Sequence, residues 1–257
     1  MDLGLKGRKV LVTGSTRGIG LATARAFLEE GAVVAINGRD EGSLNKAFKE
    51  LSLKYVDQVY PIRADMLSEN DLNTAKSFLE DRMNGLDILV ANIGSGRPEA
   101  ENPLIASEWE RFYRINVLSA VSVIDQFYPL LRKGNGACIT LLSSVVARES
   151  SAAPAGYAGA KAAVSVLNKY LSRMWAADEI RVNCVLPGNI YYEGGRWAEL
   201  MEEKKEETEG YIKETVPMRR FGSPEEVADM IVFLSSKRAG FITGSEIAVD
   251  GGQMRAI

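Results

Sequence analysis

Histidine is absent from this 257-residue chain. That removes the imidazole base of Ser-His-Asp triads and most catalytic zinc sites. Acid–base chemistry must come from Tyr, Lys, Asp, Glu or Cys, and no metal is expected. Cysteine is scarce: Cys138 and Cys184 each lie inside an apolar run. Both read as buried, reduced thiols in strands, and a disulfide framework is not expected at this density. No charge excess exists either. Lysines and arginines number 31 against 34 acidic residues, a net charge of −3. No basic field therefore invites nucleic acid or an anionic membrane. The opening "MDLGLKGRKV" has no long apolar core and no cleavage signature, so neither a signal peptide nor a membrane span is expected there. A cytoplasmic location is the expectation. Linkers rich in Pro, Gly and Ser, repeats and low-complexity tracts are all lacking, which favours a single domain over 1–257.

What is present is alternation. The strand "RKVLVT" precedes helical periodicity over 18–30, where Ile19, Ala22, Ala26 and Phe27 share a face. "AVVAIN" is the next strand, followed by a polar helix over about 40–53. "QVYPIRAD" is the third strand, and Ser68 caps a helix ending near Met83, with Asp71 as a capping-box-like signal. "LDILVAN" is followed by helical stretches over about 103–115 and 117–132. "GACITLLSS", a long helix over 155–178, "IRVNCVLP", a helix over 224–235 capped by Ser223 and the short strand "EIAVDGG" complete the chain. Strands apolar on both faces and separated by helices predict an α/β fold: a Rossmann-type, doubly wound parallel sheet of about seven strands, helices on both faces. Two long irregular stretches, about 94–103 and 188–222, leave the carboxyl ends of strands, where open α/β sheets bind ligands.

The stretch "KVLVTGSTRGIGLATARAF" is a strand, a glycine turn and a helix. Gly14 permits the tight turn, Gly18 lets backbone approach a pyrophosphate, and Gly20 packs helix on strand. The helix N-terminus then offers free N–H groups to phosphate. At the end of the second strand, "INGRD" lacks the carboxylate that would accept from the 2′-hydroxyl of NAD. Arg39 stands there instead, and Arg17 could reach the same point. Two guanidinium forks suit the 2′-phosphate of NADP. NADP(H) is therefore favoured, with NAD(H) as the alternative should Asp40 bond the ribose.

Tyr157 and Lys161 are four apart and share a helical face. An ordinary tyrosine is too weakly acidic for neutral-pH base chemistry, and a neighbouring ammonium lowers its pKa. The pair is thus a candidate proton donor and acceptor for a carbonyl/alcohol reaction. Ser144, at the end of the fifth strand, can hydrogen-bond the substrate oxygen. Asn116 is either a helix cap or an amide holding a water beside Lys161.

In these residues the chain resembles the short-chain dehydrogenase/reductases, in their single-domain form, over nearly its whole length. The matching positions are Thr13–Gly20, Asp65, "ANIG" at 91–94, Asn116, Ser144, Tyr157, Lys161, Pro187-Gly188 and the closing "VDGG". The resemblance implies a catalytic tetrad of Asn116, Ser144, Tyr157 and Lys161. Tyr157 would be the acid/base and Ser144 would polarise the carbonyl. Lys161 would bind the nicotinamide ribose and depress the tyrosine pKa. It further implies a dinucleotide site of Gly14, Ser15, Thr16, Arg17, Gly18, Ile19 and Gly20, with Arg39, Asp65 and Met66 toward the adenosine. Asn92, Ile93, Gly94, Tyr157, Lys161, Pro187, Gly188 and Ile190 would complete it. Two departures stand out. "ANIG" replaces the usual "NNAG", and no Thr follows Pro187-Gly188, so closure over the nicotinamide must work differently.

Substrate contacts are expected from the loops: Ser95, Gly96, Arg97, Arg148, Tyr192, Arg196 and Trp197. The three arginines read either as ligands for an anionic or polyhydroxylated substrate, or as solvated rim charges. The expected function is NADP(H)-dependent interconversion of a secondary alcohol and a ketone or aldehyde on a small, sugar-like or anionic molecule. One alternative is a 3-oxoacyl-acyl-carrier-protein reductase, although "KGNGA" and "AADEIR", with Asn135, Asp178 and Glu179, offer an acidic carrier little beyond Arg132 and Lys133. Another alternative is a non-catalytic NADP-binding regulator. "LMEEKKEETEGYIKE" reads as one charged helix, either a lid or a solvated face. The family resemblance implies a homotetramer packed through the two long helices and the last strand, with no nucleic-acid or membrane partner.

Overall fold

The computed structural model describes residues 2–99, 102, 104–134, 136–149 and 153–256. Seven strands form one parallel sheet: β1 (Lys9–Val12), β2 (Val33–Gly38), β3 (Val59–Arg63), β4 (Ile88–Ala91), β5 (Cys138–Leu142), β6 (Arg181–Pro187) and β7 (Glu246–Val249), in the order β3-β2-β1-β4-β5-β6-β7. Every pairing is parallel, with registers such as Val10 on Val34 and Val10 on Ile88. Alternate side chains of each strand enter opposite layers, so both faces need apolar residues. Leu11, Ala35, Leu89, Ile139 and Val182 face a core built with α3 (Glu69–Met83), α5 (Ser119–Leu131) and α6 (Ala155–Met174). Val10, Val34, Ile36, Ile88 and Val185 face a second core built with α1 (Gly18–Glu29), α2 (Glu41–Ser52) and α9 (Pro224–Ser235). Cys138 and Cys184 are free, buried and on strands, as expected.

The order of strands reverses direction between β1 and β4. A crevice opens at such a switch point, outside the carboxyl ends of the two strands. Here those ends are Thr13–Gly14 and Asn92–Gly94, and the glycine loop lies between them.

Several local expectations need correction. Ser68 caps α3 by accepting from Asp71 N, but the Asp71 carboxylate turns back to accept from Asp65 N at 2.7 Å, so no reciprocal box forms. The helical stretches after β4 are continuous: α4 (Ala106–Tyr113) runs through a π-helical turn, Arg114–Leu118, into α5. Asn116 sits inside that turn and is not a cap. The expected start of this stretch, Pro103, lies outside the described residues. The charged segment is two helices, α7 (Arg196–Glu203) and α8 (Lys205–Thr215), broken where Lys204 takes φ −147° and ψ 56°. Among the described residues, no helix is long and apolar enough to cross a membrane, and no acidic, Cys or His cluster is arranged to hold a metal.

Candidate active site

The glycine loop is fixed by buried polar side chains. Gly14 takes φ +59°, the left-handed region that glycine enters without steric cost. Its N–H donates to Asn37 Oδ1 at 3.2 Å. Asn37, 1% exposed, also donates through Nδ2 to the carbonyls of Ile62 and Ala64. Asn92 donates through Nδ2 to the carbonyls of Thr13 and Gly14, each at 3.0 Å. A Cβ at position 20 would lie 2.4 Å from Gly14 O and 2.6 Å from Asn92 Nδ2, so only glycine fits there. The loop thus stands as a rigid backbone cradle.

The helix that follows is left open at its positive end. Residue 17, at the N-cap of α1, supplies no capping side-chain hydrogen bond, and the first turn holds no acidic residue. α2, α3 and α9 are instead capped by Asp40, Ser68 and Ser223. An uncapped N-terminus beside a bare-backbone cradle suits a phosphate group.

The ribose end follows from β2. Glycine stands at position 38, where a Cβ would lie 2.4 Å from Thr16 Cγ2, so a carboxylate there would have to displace that side chain. Asp40 is occupied in capping: it accepts from Ser43 N at 2.8 Å and from Ser43 Oγ at 2.6 Å. This leaves Arg39 as the exposed charged group at the end of β2, 3.7 Å from Asp65 Oδ2. Arg17 does not join it. Its Nη1 donates to Gly194 O at 3.3 Å, tying the glycine loop to the segment after β6. The expected pair of arginines is therefore one arginine at this end. Met66 contributes no side chain to the cleft, because it is buried in the α3–α5–α6 core.

Ser144, Tyr157, Lys161 and Asn116 converge at the ends of β4 and β5. Lys161, 3% exposed, donates through Nζ to Leu142 O at 2.8 Å. Its Nζ lies 5.8 Å from the centre of the Tyr157 ring. A Cβ on Gly94 would meet both Asn116 Oδ1 at 2.7 Å and Lys161 Nζ at 2.8 Å, so glycine at 94 lets the backbone lie against both. The Asn116 amide is engaged by protein: Nδ2 donates to the carbonyls of Phe112 and Ser95, and Oδ1 accepts from Ser95 N. It holds the loop after β4 beside Lys161. Gly96 lies on the Tyr157 ring, where a Cβ would stand 3.0 Å from Cε1.

Electrostatics correct one expectation. Burial pushes the Tyr157 phenol up to about 12, with a hydrogen bond to Ser144 pulling the other way and Tyr192 adding to the rise. Burial pushes Lys161 down to about 8. Lys161 is not among the causes of the Tyr157 shift, and its ammonium faces the Leu142 carbonyl.

The loop residues behave differently from expectation. Arg97 Nη2 and Arg196 Nη1 both donate to Glu199 Oε2, at 2.9 and 3.3 Å. Arg148 Nε donates to Glu246 Oε2 at 2.6 Å. Each arginine is thus paired with a carboxylate distant in sequence or one turn away, but Arg97 and Arg196 share Glu199, so two carboxylates face three guanidinium groups. Trp197 stacks on Tyr211, ring centres 5.6 Å apart, and packs on Phe221, so it belongs to the packing between α7 and α8. Ile190 forms an isolated parallel bridge with Gly222. Gly188 N donates to Val249 O. Sequence reasoning missed Glu108, 5% exposed, which accepts from Glu99 N and, with Arg111, holds the loop after β4. The i,i+3 spacing of Glu108 and Arg111 was its only available signal.

Comparison with known proteins agrees with this geometry. A family model described as Enoyl-(Acyl carrier protein) reductase matches residues 14–254. The 3-oxoacyl-[acyl-carrier-protein] reductase of Aquifex aeolicus (strain VF5) is 34% identical over 252 residues, covering 98% of this chain and 99% of that protein. Glucose 1-dehydrogenase of Gluconobacter oxydans (strain 621H) is 34% identical over 249 residues, covering 96% and 91%. Among solved structures, L-sorbose reductase from Gluconobacter frateurii, complexed with NADPH and L-sorbose, matches with a TM-score of 0.91 at 32% identity and covers 100% of both chains. With a doubly wound sheet, a glycine cradle at its switch point and a Tyr–Lys helix beside it, the chain belongs to the short-chain dehydrogenase/reductases and is an NAD(P)-dependent oxidoreductase.

Proposed function

We propose that the protein is an NADP(H)-dependent reductase that interconverts a ketone and a secondary alcohol on a small, neutral, polyhydroxylated substrate. The observation that carries the reading is the Ser144–Tyr157 hydroxyl pair beside Lys161, set next to an uncapped glycine cradle. The cradle fits a dinucleotide pyrophosphate, because added side chains at positions 14, 20 and 94 would meet neighbouring atoms at 3.2 Å or less. Arg39, with glycine and no carboxylate at position 38, favours a ribose bearing a 2′-phosphate. The NADPH-bound L-sorbose reductase supports the same cofactor.

When bound, the nicotinamide supplies or accepts the hydride. Ser144 donates a hydrogen bond to the substrate carbonyl oxygen as negative charge develops there. Tyr157 gives that oxygen a proton in reduction and takes it back in oxidation. Tyr157 stays protonated across neutral pH, the form that donates in reduction. Lys161, fixed on Leu142 O, is placed to hold the nicotinamide ribose, and Asn116 sets the loop that borders it.

The loops at about 94–103 and 188–222 form the substrate walls of one domain. Arg97 and Arg196 share Glu199 and Arg148 pairs with Glu246, so two of the three positive charges at the mouth are offset, which favours a neutral sugar or polyol over a strongly anionic substrate. The sugar-named relatives point the same way. The acyl-carrier reading is weaker. Arg132, one of its few basic residues, lies 3.7 Å from Asp178, and Tyr128 also donates to that aspartate. Asn135 lies outside the described residues. Exposed Leu118, Val121, Val166, Tyr170 and Met174 on or beside α5 and α6 support a homotetramer packed through these helices.

A panel of ketoses, aldoses, oxo acids and an acetoacetyl thioester, each with NADPH and with NADH, and of polyols and hydroxy acids, each with NADP+ and with NAD+, tests the assignment. A ketose or polyol turned over fastest, with NADPH preferred, supports it. A thioester preferred over every sugar, or NADH preferred over NADPH, overturns it.

A further inference from the structure

The second glycine of a dinucleotide loop keeps clear the space through which pyrophosphate approaches the backbone. In this chain that space is filled by an aromatic ring. A Cβ on Gly18 would lie 2.9 Å from Tyr192 Cζ, 3.0 Å from Cε2 and 3.1 Å from Cε1. A Cβ on Gly195 would lie 2.8 Å from the same Cζ and 2.9 Å from Cε1. One phenol tip is therefore seated between two glycines, one in the loop after β1 and one at the start of α7.

The segment bearing the ring is tethered where it lies. Gly195 N donates to Tyr192 O at 3.0 Å, and Gly194 takes φ +72°, closing a tight turn. Arg17 Nη1 donates to Gly194 O at 3.3 Å. The ring also lies close enough to Tyr157 to oppose ionisation of that phenol. Tyr192 thus extends from the phosphate cradle toward the reacting end of the site.

We propose that Tyr192 is a gate on the dinucleotide cleft: its ring closes the approach to Gly18 and must swing aside before a pyrophosphate can reach the loop. The inference rests on the dinucleotide reading above. It also gives the position lacking the family's threonine a distinct role, that of an occupant the cofactor displaces.

A binding-competent state that is only partly populated lowers apparent affinity by its fractional population. With the open state at about 10% or less, removing the ring raises NADPH association and affinity roughly tenfold or more. Two variants test this by different means. Tyr192→Ala deletes the ring. Gly195→Ala places a methyl against Cζ and dislodges it, at a residue whose φ of −88° tolerates alanine. Tyr192→Phe keeps the ring as a control.

The measurement is stopped-flow energy transfer from tryptophan to NADPH, with no substrate present. The proposal expects both alanine variants to associate about tenfold faster than wild type and Tyr192→Phe to match wild type. Association unchanged or slowed in both alanine variants, at unchanged thermal stability, overturns the gate. Failure of wild type to bind NADPH or NADH overturns the dinucleotide reading, and the gate with it.

Discussion

Lys161 carries a charge that its surroundings oppose. It is 3% exposed, its ammonium donates to the Leu142 carbonyl, and burial holds it near 8 in place of 10.5. The consequence for stability has a definite sign. Below pH 8 both folded and unfolded chains carry the proton, and the folded state bears the full cost. Between 8 and 10.5 only the unfolded chain keeps it, so stability rises with pH. The shift corresponds to about 3 kcal/mol, and losing the bond to Leu142 offsets about 1 kcal/mol. Lys161→Met should therefore stabilise the protein by about 2 kcal/mol at pH 7 and, above pH 10.5, where only the lost bond to Leu142 counts, destabilise it by about 1 kcal/mol. Urea unfolding at the two pH values checks this, and destabilisation at pH 7 contradicts it. The identities of Tyr157, Lys161 and Ser144 were legible because a four-residue helical spacing and a strand end are local signals. Their titration was not, because desolvation is set by residues from β4, β5 and the loops packed around them. Nor were the arginine partnerships: Arg97 with Glu199 and Arg148 with Glu246 join positions about a hundred residues apart in sequence.

Among the elements, helix starts separate structure from function. Ser223 accepts from Glu226 N while Glu226 accepts from Ser223 N, a full capping box reinforced by Arg220. The two hydrogen bonds to Glu226 hold its carboxyl down at about 2. Ser223→Ala should cost about 1 kcal/mol, read as a lowered thermal midpoint with turnover unchanged. An unaltered midpoint would show that the box contributes nothing. This start was legible to the residue, as was Ser68, because side-chain caps are written in three or four adjacent letters. α1 breaks the rule, and its missing cap marks the phosphate end. The π-helical turn at Arg114–Leu118 and the break at Lys204 were not legible. The first places Asn116 beneath Gly94, and the second lets Trp197 stack on Tyr211; both answer to tertiary packing that no local pattern encodes.

At the scale of the whole molecule, one alternation of apolar strands and helices predicts the layered sheet, and the strand order then fixes where a ligand binds. β1 and β4, neighbours in space, are separated in sequence by two strands and three helices, so their carboxyl ends form a crevice rather than a hairpin. The glycine loop, the Gly94 backbone and the Tyr–Lys helix all open onto it. Charge distribution, by contrast, emerges only from the folded surface: arginines that read either as anion ligands or as rim charges are paired with two acidic partners, Glu199 and Glu246.

The central claim is that Tyr157 supplies the proton for a carbonyl reduction at this crevice. Single-turnover NADPH oxidation by wild type and Tyr157→Phe, with NADPH affinity measured in parallel, tests it most directly. The account predicts a rate lowered about 100-fold or more at unchanged affinity. A rate within a few-fold of wild type would contradict it.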